Sequence, residues 1–300
     1  MKMTILECVP NFSEGRDKEI IAQLRKAASS VNGAKLLDVC ADPDHNRTVL
    51  TIIGDPSSLM ESAMAACTAG ARLIDMTRHR GVHPRIGAVD VVPFVPLQNA
   101  AMKDAVQVAR EFGNKFARAS GVPVYLYGKA ALDQCRRELP DIRKGGYECL
   151  KEKSCDPCWK PDFGPEAFNA RSGATAVGAR EALIAFNVNL NTDDLSIASE
   201  IARSIRESNG GLRCVRAIGV PLKSRGIVQV SMNLLNYKVT SPLKAFEAVR
   251  ERAEKMGCSV LESELVGLIP KAAIGKSRPE QMKLKDFSKQ RILEWHLEEF

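Results

Sequence analysis

The stretch Arg78-His79-Arg80-Gly81-Val82-His83-Pro84-Arg85 puts three arginines and two of the chain's four histidines within eight residues. A histidine can take and return a proton near neutral pH. Arginine forks grip carboxylates or phosphates. Gly81 and Pro84 make a helix improbable, so the segment reads as a loop, where rigid scaffolds carry function. The bland alternative is a solvated basic loop. His79 and His83 would form a metal pair only on a helix, and no third ligand is evident, so no metal site is expected.

Two polar clusters accompany it. Asp42-Pro43-Asp44-His45-Asn46-Arg47 supplies carboxylates, an amide and a cation, or is simply a hairpin turn. Pro10-Asn11-Phe12-Ser13-Glu14-Gly15-Arg16 is a strand-to-helix turn in which Ser13 reads as a helix cap. A third stretch, residues 161–173, is polar and irregular, either functional or a structured linker. Gly173 and Gly178 have the glycine spacing of a phosphate-binding loop, but Ala179-Arg180 stands where Lys-Ser/Thr is required, which excludes nucleoside triphosphate binding of that kind. Cys155-Asp156-Pro157-Cys158 is a single CxxC in an irregular segment, more simply read as incidental thiols than as a zinc or redox motif.

These clusters need a scaffold. The chain has 300 residues, 45% hydrophobic and 26% charged, with a net charge of +7, which is globular usage and excludes disorder as the main state. The basic excess suits an anionic partner. No apolar run is long enough to cross a membrane, and Glu7 interrupts any secretory leader, so a cytoplasmic location is expected. Nine cysteines, an odd number, fit a reducing compartment; Cys8, Cys40, Cys67, Cys214 and Cys258 read as small buried hydrophobes.

Hydrophobic periodicity gives a strand at 4–9, a helix at 17–31 closed by Gly33, strands at 35–40 and 48–53, a helix at 57–76, and a strand at 88–95. A helix at 102–119, a strand at 123–127 and broken helix over 129–152 extend this half. Periodicity lapses from 153 to 174. The pattern then repeats: a strand at 182–190, a helix at 193–207 with Asp193 and Asp194 in its first turn, strands at 213–221 and 226–234, a helix opened by Ser241-Pro242 and ended by Gly257, and a strand at 258–262. A final helix is expected over 286–299. The fold class is therefore α+β, two ferredoxin-like βαββαβ subdomains with extra helices, spanning 1–178 and 179–300.

The clusters also carry a resemblance. Glu7 to Arg16, Asn46 to Val49, Ile74 to Arg85, Gly87 to Asp90, Val122 to Gly128, Pro161 to Pro165, Ala182 to Asn187 and Leu265 to Pro270 are similar to the formiminotransferase family, over about nine-tenths of the chain. The resemblance implies transfer of a formimino group from N-formimino-L-glutamate to N5 of tetrahydrofolate, a co-substrate, without metal. It implies a cytoplasmic homodimer acting in histidine degradation and one-carbon metabolism on small molecules, with no nucleic acid or membrane partner. It makes His83 the general base and Gly164-Pro165-Glu166-Ala167-Phe168-Asn169-Ala170-Arg171-Ser172-Gly173 the folate-contacting stretch. Arg47, Arg78, Arg80 and Arg85, with Asn11 and Asn46, suit the substrate carboxylates. The chain departs from the family's mammalian members at Cys40, where they carry an aspartate. Asp42 or Asp44 is expected to serve as the catalytic carboxylate, or Asp38 to orient His83. Formyl transfer involving N-formylglutamate or 5-formyltetrahydrofolate is an alternative, and a folate-binding protein without turnover is another. RNA binding is disfavoured because residues 227–233 offer no aromatic platform.

Overall fold

In the computed structural model residues 3–298 are described. Contacts divide the chain into two compact units, Met1–Arg180 and Glu181–Phe300.

The first unit opens with β1 (Leu6–Cys8), a shorter form of the strand expected over 4–9, and β2 (Asn11–Phe12), which lies in the segment expected to be a turn. Pro10 has no N–H to give the ladder, although its carbonyl accepts from the Leu50 amide at 3.0 Å. Helix α1 (Lys18–Ala28) is shorter than its periodicity suggested. Asp17 caps it by accepting from the Glu19 and Ile20 amides, and it closes at Ser29. Gly33 belongs instead to the following turn, at φ +86°, where an added Cβ would meet Ser58 Oγ at 2.5 Å. Ser13 is not the cap; its hydroxyl donates to the Gly87 carbonyl at 2.7 Å. Strands β3 (Ala34–Asp42) and β4 (Arg47–Gly54) form a hairpin closed by the pair Asp42 and Arg47, with Asn46 in the left-handed region. Then follow α2 (Pro56–Leu73), capped by Asp55, β5 (Val89–Pro96), α3 (Met102–Ser120), which ends on left-handed Gly121, and β6 (Val124–Gly128). Short helices α4 (Leu139–Arg143) and α5 (Leu150–Lys153) precede β7 (Thr175–Ala179).

Strand β7 is the main departure from the sequence reading, which placed none there. It lies between β5 and β6 and runs parallel to both. The sheet runs β3, β4, β1/β2, β5, β7, β6. With Gly178 and two alanines among its five residues, β7 keeps only Thr175 and Val177 of the β-branched signature of a strand. A bare backbone is what the site requires: a Cβ on Gly178 would stand 2.5 Å from the Tyr127 ring.

One sheet face packs against α1, α2 and α3 in a core that includes Phe12, Leu24, Leu59, Phe94, Phe112 and Phe116. Full burial of each such side chain contributes roughly 1.5–3 kcal/mol. The other face, around Val91, Tyr125 and Tyr127, is covered by Leu139, Ile142, Tyr147, Leu150 and Trp159 from the segment bearing α4 and α5.

The second unit follows the expected order: β8 (Ile184–Leu190), α6 (Leu195–Ile205), β9 (Val215–Leu222), β10 (Ile227–Leu234), α7 (Pro242–Lys255) and β11 (Val260–Val266). Its antiparallel sheet runs β11, β8, β10, β9, with β8 and β10 central. Asp194 is the N-cap of α6, so the helix starts after both acids rather than on them. The last strand lies later than the expected 258–262, and its pairing with β8 shifts register between Val260 and Glu262. The terminal helix expected over 286–299 breaks into a single turn and the short α9 (Leu293–Leu297), after the short α8 (Lys271–Ile274). The expected helix also extended into residues outside the described range. Alternate residues of β8, β10 and β11 face away from the core and carry a buried polar network. Gln229 Nε2 donates to Asn189 Oδ1 at 2.9 Å and to Glu264 Oε1 at 2.6 Å.

Candidate active site

The first unit gathers its polar groups at one end of the sheet. Arg47 starts β4, Asp90 lies on β5, and the loop 74–88 between α2 and β5 brings His79, His83 and Arg85 beside them. Together with Phe12, Ser13, His45 and Asn46 they line a small cleft, about 10 Å³ in volume.

The loop is pinned from several sides. Asn46, buried at the tip of the β3–β4 hairpin, accepts from the Gly15 amide at 2.9 Å and donates to the Arg80 carbonyl at 2.9 Å. It therefore ties three clusters of the sequence together, and its side chain is occupied by that task. The Met76 amide donates to Arg171 O at 2.8 Å, and Ala88 N to Ser172 O at 2.9 Å. Asp90 Oδ1 accepts from Ile86 N at 2.9 Å.

His79 Nε2 donates to the Asn46 carbonyl at 3.0 Å, and Arg85 Nε donates to His79 Nδ1 at 3.1 Å. That pairing sets a neutral tautomer. Burial, then the Arg85 charge, lowers the His79 pKa despite its hydrogen bond to Asn46.

His83 Nδ1 donates to the Pro84 carbonyl at 2.8 Å, leaving Nε2 as the acceptor. Arg47 Nη1 contacts that Nε2 and lies 3.2 Å from Nδ1. The ring sits 5.7 Å from that of His45. Burial and the Arg47, Arg143 and His45 charges push its pKa well below the usual histidine range. His83 is thus held as a neutral imidazole. Arg47 itself is lowered to about 10, first by burial and then by the neighbouring Arg143.

The other expected residues fall as follows. Asp42 accepts from the His45 amide at 2.8 Å, and its charge bears favourably on Arg47. Asp44 is half-buried in the same turn. Asn11 spends its amide on the Val9 carbonyl at 2.6 Å. Arg78 and Arg80 are exposed, whereas Arg85 grips Glu148. Cys8 and Cys67 are buried; Cys40, Cys214 and Cys258, expected to be buried, are partly accessible.

The 164–173 stretch wraps back to the same region. Gly87 and Gly173 form a β-bridge, and Asn169 O accepts from Gly173 N at 2.7 Å. Glu166 pairs with Lys160, and Arg171 with Asp75. Phe168 packs against Tyr147 with ring centroids 5.8 Å apart, and the Tyr147 hydroxyl donates to the Ala170 carbonyl at 2.5 Å. Gly164, Pro165, Glu166 and Ala167 are exposed, while Ser172 and Gly173 are buried.

Sequence reasoning missed Asp90, Arg143 and Glu148. Arg143 forms an ion pair with buried Asp90 that closes one wall of the site. An aspartate inside the apolar strand Val89–Pro96 was the available signal, because a buried carboxylate needs a partner. Arg143 and Glu148 lie in an irregular segment with no local signature.

The chain matches the models named "Formiminotransferase domain, N-terminal subdomain" over residues 5–180 and "Formiminotransferase domain" over residues 185–291. It is 45% identical to glutamate formimidoyltransferase of Thermoplasma acidophilum over 99% of this chain and 98% of that one. The same-named protein of Streptococcus pyogenes serotype M1 is 41% identical over 98% of each chain. Formimidoyltransferase-cyclodeaminase of Gallus gallus is 47% identical over 90% of this chain but only 51% of its own length. The chain belongs to the formiminotransferase domain family.

Proposed function

We propose that this chain transfers the formimino group of N-formimino-L-glutamate to N5 of tetrahydrofolate and releases glutamate. The observation that carries the reading is His83, a neutral imidazole beside the Arg47 guanidinium in a cavity of a formiminotransferase-family fold.

In this reading N5 attacks the amidine carbon and a tetrahedral intermediate forms. N5 must then lose a proton and the departing α-amine must gain one; His83 Nε2 serves both steps in turn. Its lowered pKa keeps the imidazole unprotonated at neutral pH. Asp42, whose charge already bears on this site, supplies negative charge to the amidinium, with Asp44 as the second candidate. Arg47, Arg78 and Arg80 receive substrate carboxylates. Arg85, Asn11 and Asn46 are engaged in holding the loops, so we assign them to positioning.

Tetrahydrofolate is a co-substrate in this assignment and lies along Gly164 to Gly173. The bonds from that stretch to Tyr147 and to Gly87, in the loop that carries His83, support the placement. We place the enzyme in the cytoplasm as a homodimer in histidine degradation, a reading supported by the family resemblance and nine free thiols.

The test mixes purified protein with tetrahydrofolate and N-formimino-L-glutamate and follows the acid-generated methenyl product. Wild type should turn over, and His83→Ala should fall by about 100-fold or more, the scale of a lost general base. Tight folate binding with no product from wild type would overturn the reaction, and N-formylglutamate would be the next donor to assay.

A further inference from the structure

Arg47 is an unusual neighbour for a base. Its Nη1 lies against the ring nitrogens of His83, including Nε2, the atom that must take the proton. Its Nε is buried and donates to nothing. The nearest carboxylates are committed elsewhere: Asp90 to Arg143 and the Ile86 amide, Asp42 to the His45 amide. The guanidinium is therefore hydrogen-bonded to a neutral imidazole while carrying an unspent donor. A carboxylate would be a better partner, because charge-assisted bonds are roughly twice as strong as neutral ones.

The substrates differ in which carboxylate can reach this point. In N-formimino-L-glutamate the α-carboxylate is attached to the carbon that bears the amidine nitrogen. In tetrahydrofolate the carboxylates lie on the glutamyl tail, beyond the aminobenzoyl group from N5. With the reacting atoms at His83, only the donor's α-carboxylate can reach the adjacent Arg47.

We propose that Arg47 is a carboxylate-operated latch on His83: it covers Nε2 in the free protein, and the donor's α-carboxylate draws it away, so the base is exposed only when the donor is seated. This rests on the formimino-transfer reading. The charged and titratable groups facing His83 are Arg47 from β4, His45 from the hairpin turn, Arg143 from α4 and Asp90 from β5, with His79 and Arg85 from its own loop. Moving Arg47 onto an anion relieves one depressing contact and brings a negative charge nearby, so His83 becomes more basic as the donor binds.

The experiment is a nitrogen-15 histidine titration by NMR on the full chain, which has four histidines to assign. It is run on free protein, with N-acetyl-L-glutamate, and with N-acetyl-γ-aminobutyrate, which lacks the α-carboxylate. The His83 midpoint should move up with the first ligand only. In Arg47→Gln the free-state midpoint should already lie above that of wild type and ignore both ligands. An unmoved wild-type midpoint under saturating N-acetyl-L-glutamate, binding being checked by calorimetry, would overturn the latch. So would an equal response to both ligands, or no calorimetric binding of N-acetyl-L-glutamate. If Arg47→Gln fails to fold, the two-ligand comparison on wild type still decides. Turnover with tetrahydrofolate and N-formimino-L-glutamate is measured on the same preparation. Its absence overturns the proposed function, whereas turnover with an unmoved His83 overturns only the latch.

Discussion

Arg85 and Glu148, 63 positions apart, meet through two parallel hydrogen bonds of 3.0 and 2.5 Å, and the same guanidinium donates its Nε to His79. One arginine thereby fixes both the far wall of the site and the tautomer of a buried histidine. Glu148 is 61% exposed, so the ion pair itself contributes little, about 0–1 kcal/mol. Glu148→Ala should leave the melting temperature within a few degrees of wild type. Its kcat should nevertheless fall about tenfold or more, because small displacements of a positioned loop cost rate steeply. Arg85→Lys should behave likewise, since lysine keeps the charge but not the fork. Thermal melts alongside steady-state kinetics check both.

Arg136 and Asp162 form a pair 2.8 Å apart with side chains 9% and 4% exposed. Arg136 also donates to the Lys160 carbonyl, and Asp162 accepts from the Leu126 amide at 2.7 Å. The pair clips the segment before α4 to the stretch leading towards β7. Removing one partner leaves an uncompensated buried charge, so Arg136→Ala should cost about 3–5 kcal/mol in urea unfolding. The double change Arg136→Met with Asp162→Leu should recover much of that loss.

Gly173 has φ +67°, and a Cβ there would stand 2.2 Å from the Ile86 carbonyl oxygen. The obstacle is backbone, so no side-chain rotation can relieve it. Gly173→Ala should destabilise by about 1–3 kcal/mol. It should also raise the KM for tetrahydrofolate, because the bridge to Gly87 holds the 164–173 stretch against the His83 loop. Kinetics against each substrate separately would show whether the folate KM is the one that moves.

Glu7 is buried in the middle of the sheet, and burial raises its carboxyl from 4.5 to about 7, partly opposed by Arg180. A carboxyl with a folded pKa above its unfolded value favours the protonated form in the folded state. The associated stabilisation is full below pH 4.5 and lost as pH rises through about 7. The displacement corresponds to roughly 3 kcal/mol at most. Glu7→Gln should therefore gain stability over wild type at pH 8 and show little difference at pH 4.5. Denaturant unfolding at the two pH values measures it.

The second unit was legible almost in full. Ile197, Ile201 and Ile205, Ser241-Pro242 and Gly257 are local signals, and local signals survive folding. Strand β7 was hidden because glycine and alanine carry no periodic signal; its place depends on β5, β6 and the Tyr127 ring above it. Ser13 read as a cap because a serine before a helix usually is one, but Asp17 stood closer to the first turn.

Two α+β units, the family and three polar clusters are legible in the chain's local order. Periodicity, caps and motif spacing are written in neighbouring residues. Which polar groups meet is settled by the folded chain. Asn46 became a strut, Arg85 a clamp and Arg47 the contact of His83, while Asp90 and Arg143 entered the site without a motif. Side-chain pairing across 36 to 63 positions depends on strand register and loop closure. No local pattern encodes either.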